Sequence, residues 1–94
     1  MWQIVENHRV VKQLSGKAPV EVHKRYEKWK QTASALGPAG LEAIRGLHDE
    51  ALRGKWAGHR ASRLGLKWRV IYEVVEDAFL IRVVEVNAHD YKKH

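Results

Sequence analysis

The apolar positions change their period along the chain. Val22, Tyr26, Trp29, Ala33 and Leu36 recur at helical spacing, while Glu21, Lys24, Arg25, Lys28 and Gln31 fall on the other side. That stripe predicts an amphipathic helix whose tyrosine and tryptophan belong to a core. Pro19 suits its first turn, and Gly37-Pro38-Ala39-Gly40 is expected to end it in a loop. Upstream, residues 2–6 read as a short strand. Asn7 reads as the N-cap of a first helix with Val10, Val11 and Leu14 on one side. Leu41, Ile44 and Leu47 fit a short helical turn, and the next residues are polar and irregular.

Beyond residue 67 the period falls to two. Residues 67–75 and 78–86 are rich in Val, Ile and aromatics and are joined by Glu76-Asp77, which predicts a β-hairpin. A two-residue turn sets Val75 against Ala78, Val74 against Phe79, Tyr72 against Ile81 and Val70 against Val83. Side chains alternate, so Trp68, Val70, Tyr72, Val74, Phe79, Ile81 and Val83 share one apolar face. Arg69, Ile71, Glu73, Leu80, Arg82, Val84 and Val86 share the other. Residues 60–64 form a further strand that turns at Gly65-Leu66. The expected fold is α+β in a single domain, residues 1–94. A short N-terminal strand and two helices precede a C-terminal antiparallel three-strand meander, and the strands form one sheet packed against the helices.

Composition narrows the function classes. Cysteine is absent, which removes disulfides and thiolate chemistry. The N-terminal residues carry charge, and no apolar run approaches a membrane span, so a cytoplasmic location is expected. His8, His23, His48, His59 and His94 show no ligand spacing, so neither a metal nor another cofactor is expected. The formal net charge is +6, which favours an anionic partner. From Arg53 to Arg69 the chain holds Arg53, Lys55, Arg60, Arg63, Lys67 and Arg69 without one acid. Arg69 therefore stands on the mixed face of the sheet beside Arg82, with Arg63 on the adjoining strand. Glu73 is the one acid there, and it cannot neutralise them all.

The segment GHRASRLGLKWRVIYEV, followed by a further strand and NAHDYKKH, resembles the RelE/ParE superfamily of type II toxin–antitoxin toxins, and most nearly the YoeB-like, RelE-type mRNA interferases. Gly58, Ser62, Arg63, Leu64, Arg69 and Tyr72 fit the family pattern without a gap, and the order of elements agrees over nearly the whole chain. The resemblance implies that Arg69 matches the catalytic arginine of the central strand. Glu50 falls where YoeB-like members carry a glutamate before Pro-Leu, here Ala51-Leu52. His89 and Tyr91 match a terminal His and Tyr that are adjacent in those members and are separated here by Asp90. Lys92, Lys93 and His94 come after them.

Metal-free RNA cleavage needs these residue types. A base takes the 2′-hydroxyl proton, cations meet the charge building on phosphorus, and an acid protonates the leaving 5′-oxygen. Glu50 or His89 serves as base, Arg69 with Arg63 and Arg82 as charge stabiliser, and His89 or Tyr91 as acid. Arg60, Lys55, Arg82, Lys92 and Arg63 are the candidate RNA ligands. The implied function is an mRNA endoribonuclease toxin acting on translated mRNA at the ribosome, with a cognate antitoxin as partner. Homodimer formation stays open. The alternatives are a gyrase-inhibiting, ParE-like toxin and an RNA-binding relative without catalysis; one scaffold serves all three.

Overall fold

In the computed structural model of the protein, residues 1–65 and 67–88 are described. The strands are β1 (Gln3–Glu6), β2 (Glu50–Ala51), β3 (Arg60–Arg63), β4 (Trp68–Val75) and β5 (Leu80–Ala88), and the helices are α1 (His8–Lys17) and α2 (Val20–Ala43). The strands form one sheet in the order β1-β5-β4-β3-β2. β1 runs parallel to β5 and the other pairings are antiparallel. This is the expected α+β arrangement, with β2 added at the edge from a segment read as irregular. Two residues carry too little pattern to announce a strand.

Both helices cover one face. Asn7 caps α1 as expected, its side chain accepting from the Arg9 amide at 2.9 Å. Val10 is fully buried, whereas Val11 is turned to solvent. In α2, Val22, Tyr26, Trp29 and Ala33 are buried with Val70, Tyr72, Ile81 and Val83 of the sheet. Leu36 departs from the stripe and is exposed. Its turn outward comes from Gly37, whose φ of 70° and ψ of −168° break the helical geometry. Instead of ending in a loop, the helix kinks there and resumes, and Leu41 takes the core position. The kink is also filled: a Cβ on Gly37 would stand 2.3 Å from the Trp2 indole nitrogen. Only glycine combines that backbone with that space. Trp2 is tied to α2 by its amide donating to the Ser34 carbonyl at 2.9 Å.

The hairpin register differs from the expected one. Residues 76–79 form the turn, with Phe79 left-handed at φ 50°, so Val74 pairs with Ile81 and Tyr72 with Val83. Phe79 leaves the core face, stays exposed and packs edge-on against Trp2. A register shift then falls between Ile71 and Tyr72, so that Ile71 pairs with Glu85 and Val70 with Val86. The extra residue, Val84, reverses the parity of the rest of β5. Val86, expected on the outer face, is fully buried on the helix side, while Glu85 and Asn87 move to the outer face.

A polar clamp closes the helix side at its β3 edge. The Asp49 side chain is fully buried and accepts from Arg60 Nε at 2.7 Å, Ser62 Oγ at 2.6 Å and the Tyr72 hydroxyl. Burial, and then the bond to Asp49, push the Tyr72 phenol well above its ordinary pKa. The clamp fixes the residue before β2 to both β3 and β4.

Candidate active site on the outer sheet face

The register orders the outer face into rows. Arg63 of β3 stands opposite Arg69 of β4, which stands opposite Asn87 of β5. The next row runs Glu50, Ala61, Ile71 and Glu85 across four strands. The third holds Glu73 opposite Arg82, which are hydrogen-bonded, with His59 Nε2 at 3.6 Å from Glu73 Oε2. The first row thus sets two arginines on neighbouring strands.

Arg69 lines an open cleft of about 500 Å³ together with Arg9, Lys55, Trp56, Glu85 and Asn87. Several elements converge there. β1 pairs with β5 only up to Val83; beyond it the Val86 amide donates to Gln13 Oε1 of α1 at 2.8 Å, and Arg9 reaches the cleft from the start of the same helix. Its guanidinium lies 3.7 Å from Glu85 Oε2, and Asn87 Nδ2 donates to Glu85 Oε1 at 3.2 Å. The 3-10 turn Gly54–Trp56, opened by Gly54 at φ 66°, brings in Lys55 and Trp56. The Trp56 ring meets His59 edge-on at 5.2 Å. Arg69 Nε is buried and has no hydrogen-bond partner among the described residues. Three cations and one carboxylate line the cleft, so it favours an anion.

The sequence-predicted residues divide. Arg69 and Lys55 meet in the cleft, and Arg63 stands beside Arg69. Glu50 lies on the same face one row away, exposed at the sheet edge. Arg82 is two rows from Arg69 and bonded to Glu73, which leaves it outside the cleft. Arg60 points to the helix side. It is held by Asp49 at 2.7 Å and lies 3.8 Å from Glu42. Burial opposes its charge, but the Asp49 hydrogen bond and both carboxylates raise its pKa, so it is committed to the clamp. His89, Tyr91 and Lys92 lie outside the described residues.

Sequence reasoning missed Arg9, Trp56, Glu85, Asn87 and Asp49. Trp56 left a signal, an aromatic residue in a polar stretch without periodicity. Glu85 and Asn87 were hidden by the bulge, and Arg9 by its distance along the chain. Among the described residues no group of three or more His, Asp or Glu side chains is placed to hold a metal ion. No described helix is long and apolar enough to cross a membrane.

Neither a family model nor a curated protein sequence matches the chain. Solved structures do. The archaeal RelE-RelB complex from Pyrococcus horikoshii OT3 matches with a TM-score of 0.76 and 20% identity, over 96% of this chain and 97% of that one. The YoeB/ParE toxin from Agrobacterium tumefaciens matches with a TM-score of 0.72 and 14% identity, over 94% and 99%. The YoeB-YefM complex from Staphylococcus aureus matches with a TM-score of 0.68 and 16% identity, over 96% and 99%. The shared property at these identities is the fold, and the fold is that of RelE/ParE-type toxins.

Proposed function

We propose that this chain, on its RelE/ParE-type scaffold, is the toxin of a type II toxin–antitoxin pair and an endoribonuclease that cuts translated mRNA. The observation that carries the reading is Arg69 on the outer face, lining an open cleft with Arg9 and Lys55 and holding a buried Nε with no hydrogen-bond partner among the described residues. A phosphodiester supplies the anion that this cationic cleft favours and pairs with a guanidinium at fork geometry. A pure gyrase binder has no use for such a centre.

In the proposed reaction the 2′-oxygen attacks the adjacent phosphorus, forming a 2′,3′-cyclic phosphate and releasing a 5′-hydroxyl. Arg69 and Arg63 meet the charge on the non-bridging oxygens, a contribution whose loss typically costs about 10²–10³ in rate. Glu50, one row away on the same face, is the candidate base for the 2′-hydroxyl proton. His89 and Tyr91 are the candidate acids for the leaving 5′-oxygen. The antitoxin is the proposed protein partner. Two of the similar structures are complexes named RelE-RelB and YoeB-YefM, and the net charge of +6 suits an acidic binding segment.

The test is induction of wild type and Arg69→Ala in growing cells, with RNA 5′ ends mapped on translated messages. Codon-phased cuts that disappear in Arg69→Ala support the reading. Growth arrest with intact mRNA and gyrase-linked DNA breaks overturns it.

A further inference from the structure

The cleft beside Arg69 holds more than phosphate ligands require. An aromatic ring, a carboxylate and a carboxamide line it along with the cations. At about 500 Å³ it falls within the usual range of small-ligand sites, roughly 300–1,000 Å³. We infer that this cleft is a base-recognition pocket selecting guanine: the base stacks on Trp56, its Watson–Crick edge meets Glu85, and its phosphate meets Arg69 and Lys55. The inference rests on the nuclease reading and assigns that site a base preference.

The chemistry comes from the hydrogen-bond inventory. An ionised carboxylate only accepts. Asn87 spends one N–H on Glu85 Oε1, which leaves that wall the remaining lone pairs of Glu85 and the Asn87 carbonyl as acceptors, beside one further Asn87 N–H. Guanine alone among the four RNA bases offers two neighbouring donors, N1–H and N2–H₂, to such a wall. Adenine and cytosine each place an acceptor beside their donor, and uracil sets its single donor between two acceptors. Against the carboxylate, those acceptors are repelled. Arg9, 3.7 Å from Glu85 Oε2, adds a donor next to the carboxylate. The Arg9–Glu85 pair then reads donor-acceptor, complementary to guanine O6 and N1–H in sequence. The Glu85 side chain is only 20% exposed, so its bonds to a base face little competition from water. Trp56 is half-buried, outside the helix-side core, and steadied by His59. It is available as a stacking surface of the kind single-stranded RNA uses.

The test titrates the intact protein by calorimetry with GMP, AMP, CMP and UMP. GMP is expected to bind about tenfold tighter than the other three, the scale of one good base-edge contact. Trp56→Ala weakens GMP by about tenfold, and Trp56→Phe restores most of it. Glu85→Gln, checked for a wild-type unfolding profile, erases the preference for GMP. Lys24→Ala removes one exposed charge on α2, away from the outer sheet face, and leaves the ranking unchanged. Equal affinity for all four nucleotides, no binding of any, or a GMP preference that survives Glu85→Gln overturns the inference. GMP preference without RNA cutting removes the nuclease reading and keeps the pocket. Cutting without any bias toward guanines removes the pocket and keeps the nuclease.

Discussion

Asp49→Ala removes the acceptor of the buried clamp. Two hydroxyls of fully buried residues, Ser62 and Tyr72, lose their partner. Among the described residues Arg60 is left with Glu42, at 3.8 Å, as its carboxylate. An unsatisfied buried donor costs about 1–3 kcal/mol, and breaking a buried charge pair by removing one partner costs about 3–5 kcal/mol. Because hydroxyls rotate toward other acceptors, the total is set at about 3–5 kcal/mol rather than the full sum. Small domains have roughly 5–15 kcal/mol in all, so the loss is severe. Equilibrium urea unfolding reads it directly: at a slope of about 1.5 kcal/mol/M the midpoint falls by about 2–3 M. Tyr72→Phe alone costs about 1 kcal/mol, and it costs less in the Asp49→Ala background because no orphaned hydroxyl remains there. A loss below about 1 kcal/mol for Asp49→Ala at unchanged slope, or simple additivity of the two substitutions, refutes this account of the clamp.

Two further outcomes are expected. Gly37→Ala forces a side chain into a backbone conformation nearly reserved for glycine and into the Trp2 indole; strain of about 1–3 kcal/mol lowers Tm by roughly 4–20 °C, and an unchanged melting curve would contradict the packing described. The phenols of Tyr26 and Tyr72 are both raised above the ordinary value of 10.0, first by burial and then by Glu6 and Asp49 respectively. The folded state therefore keeps protons that the unfolded chain releases above about pH 10. The stability they contribute is complete below that pH and declines as pH rises past it. Urea midpoints from about pH 8 to 11, compared with Tyr26→Phe/Tyr72→Phe, check this; equal alkaline slopes would disprove it.

Much of the architecture could be read from pattern alone, for identifiable reasons. The α2 stripe survives because Val22, Tyr26, Trp29 and Ala33 lie before the kink, where helical spacing still applies. The assignment of Val70, Tyr72, Ile81 and Val83 to the core survives a wrong turn because the register slipped by two, and a slip of two keeps every side chain on its face. Val86, Glu85 and Asn87 were misplaced because Val83 and Val84 are two ordinary strand residues, and neither marks the bulge between them. Arg69 and Arg63 were legible from alternation and strand order. Arg60 was not: its alternation put it on the helix side, but Asp49, a loop residue, and Glu42 of α2 explain why a cation is comfortable there. Arg9 enters the cleft through tertiary geometry, on which local spacing is silent.

The pairing of β1 with β5 has a temporal consequence. Among the described residues, the strand synthesised first of the five has the strand synthesised last as its sheet neighbour. At about 5–20 residues per second, β1 waits on the order of 4–15 s for its partner to emerge. Loop closure over that separation also slows the search once both exist. Arg69, Glu85 and Asn87 sit on the strands that arrive at the end of that interval. Until β5 has emerged, a nascent chain therefore carries no assembled cleft.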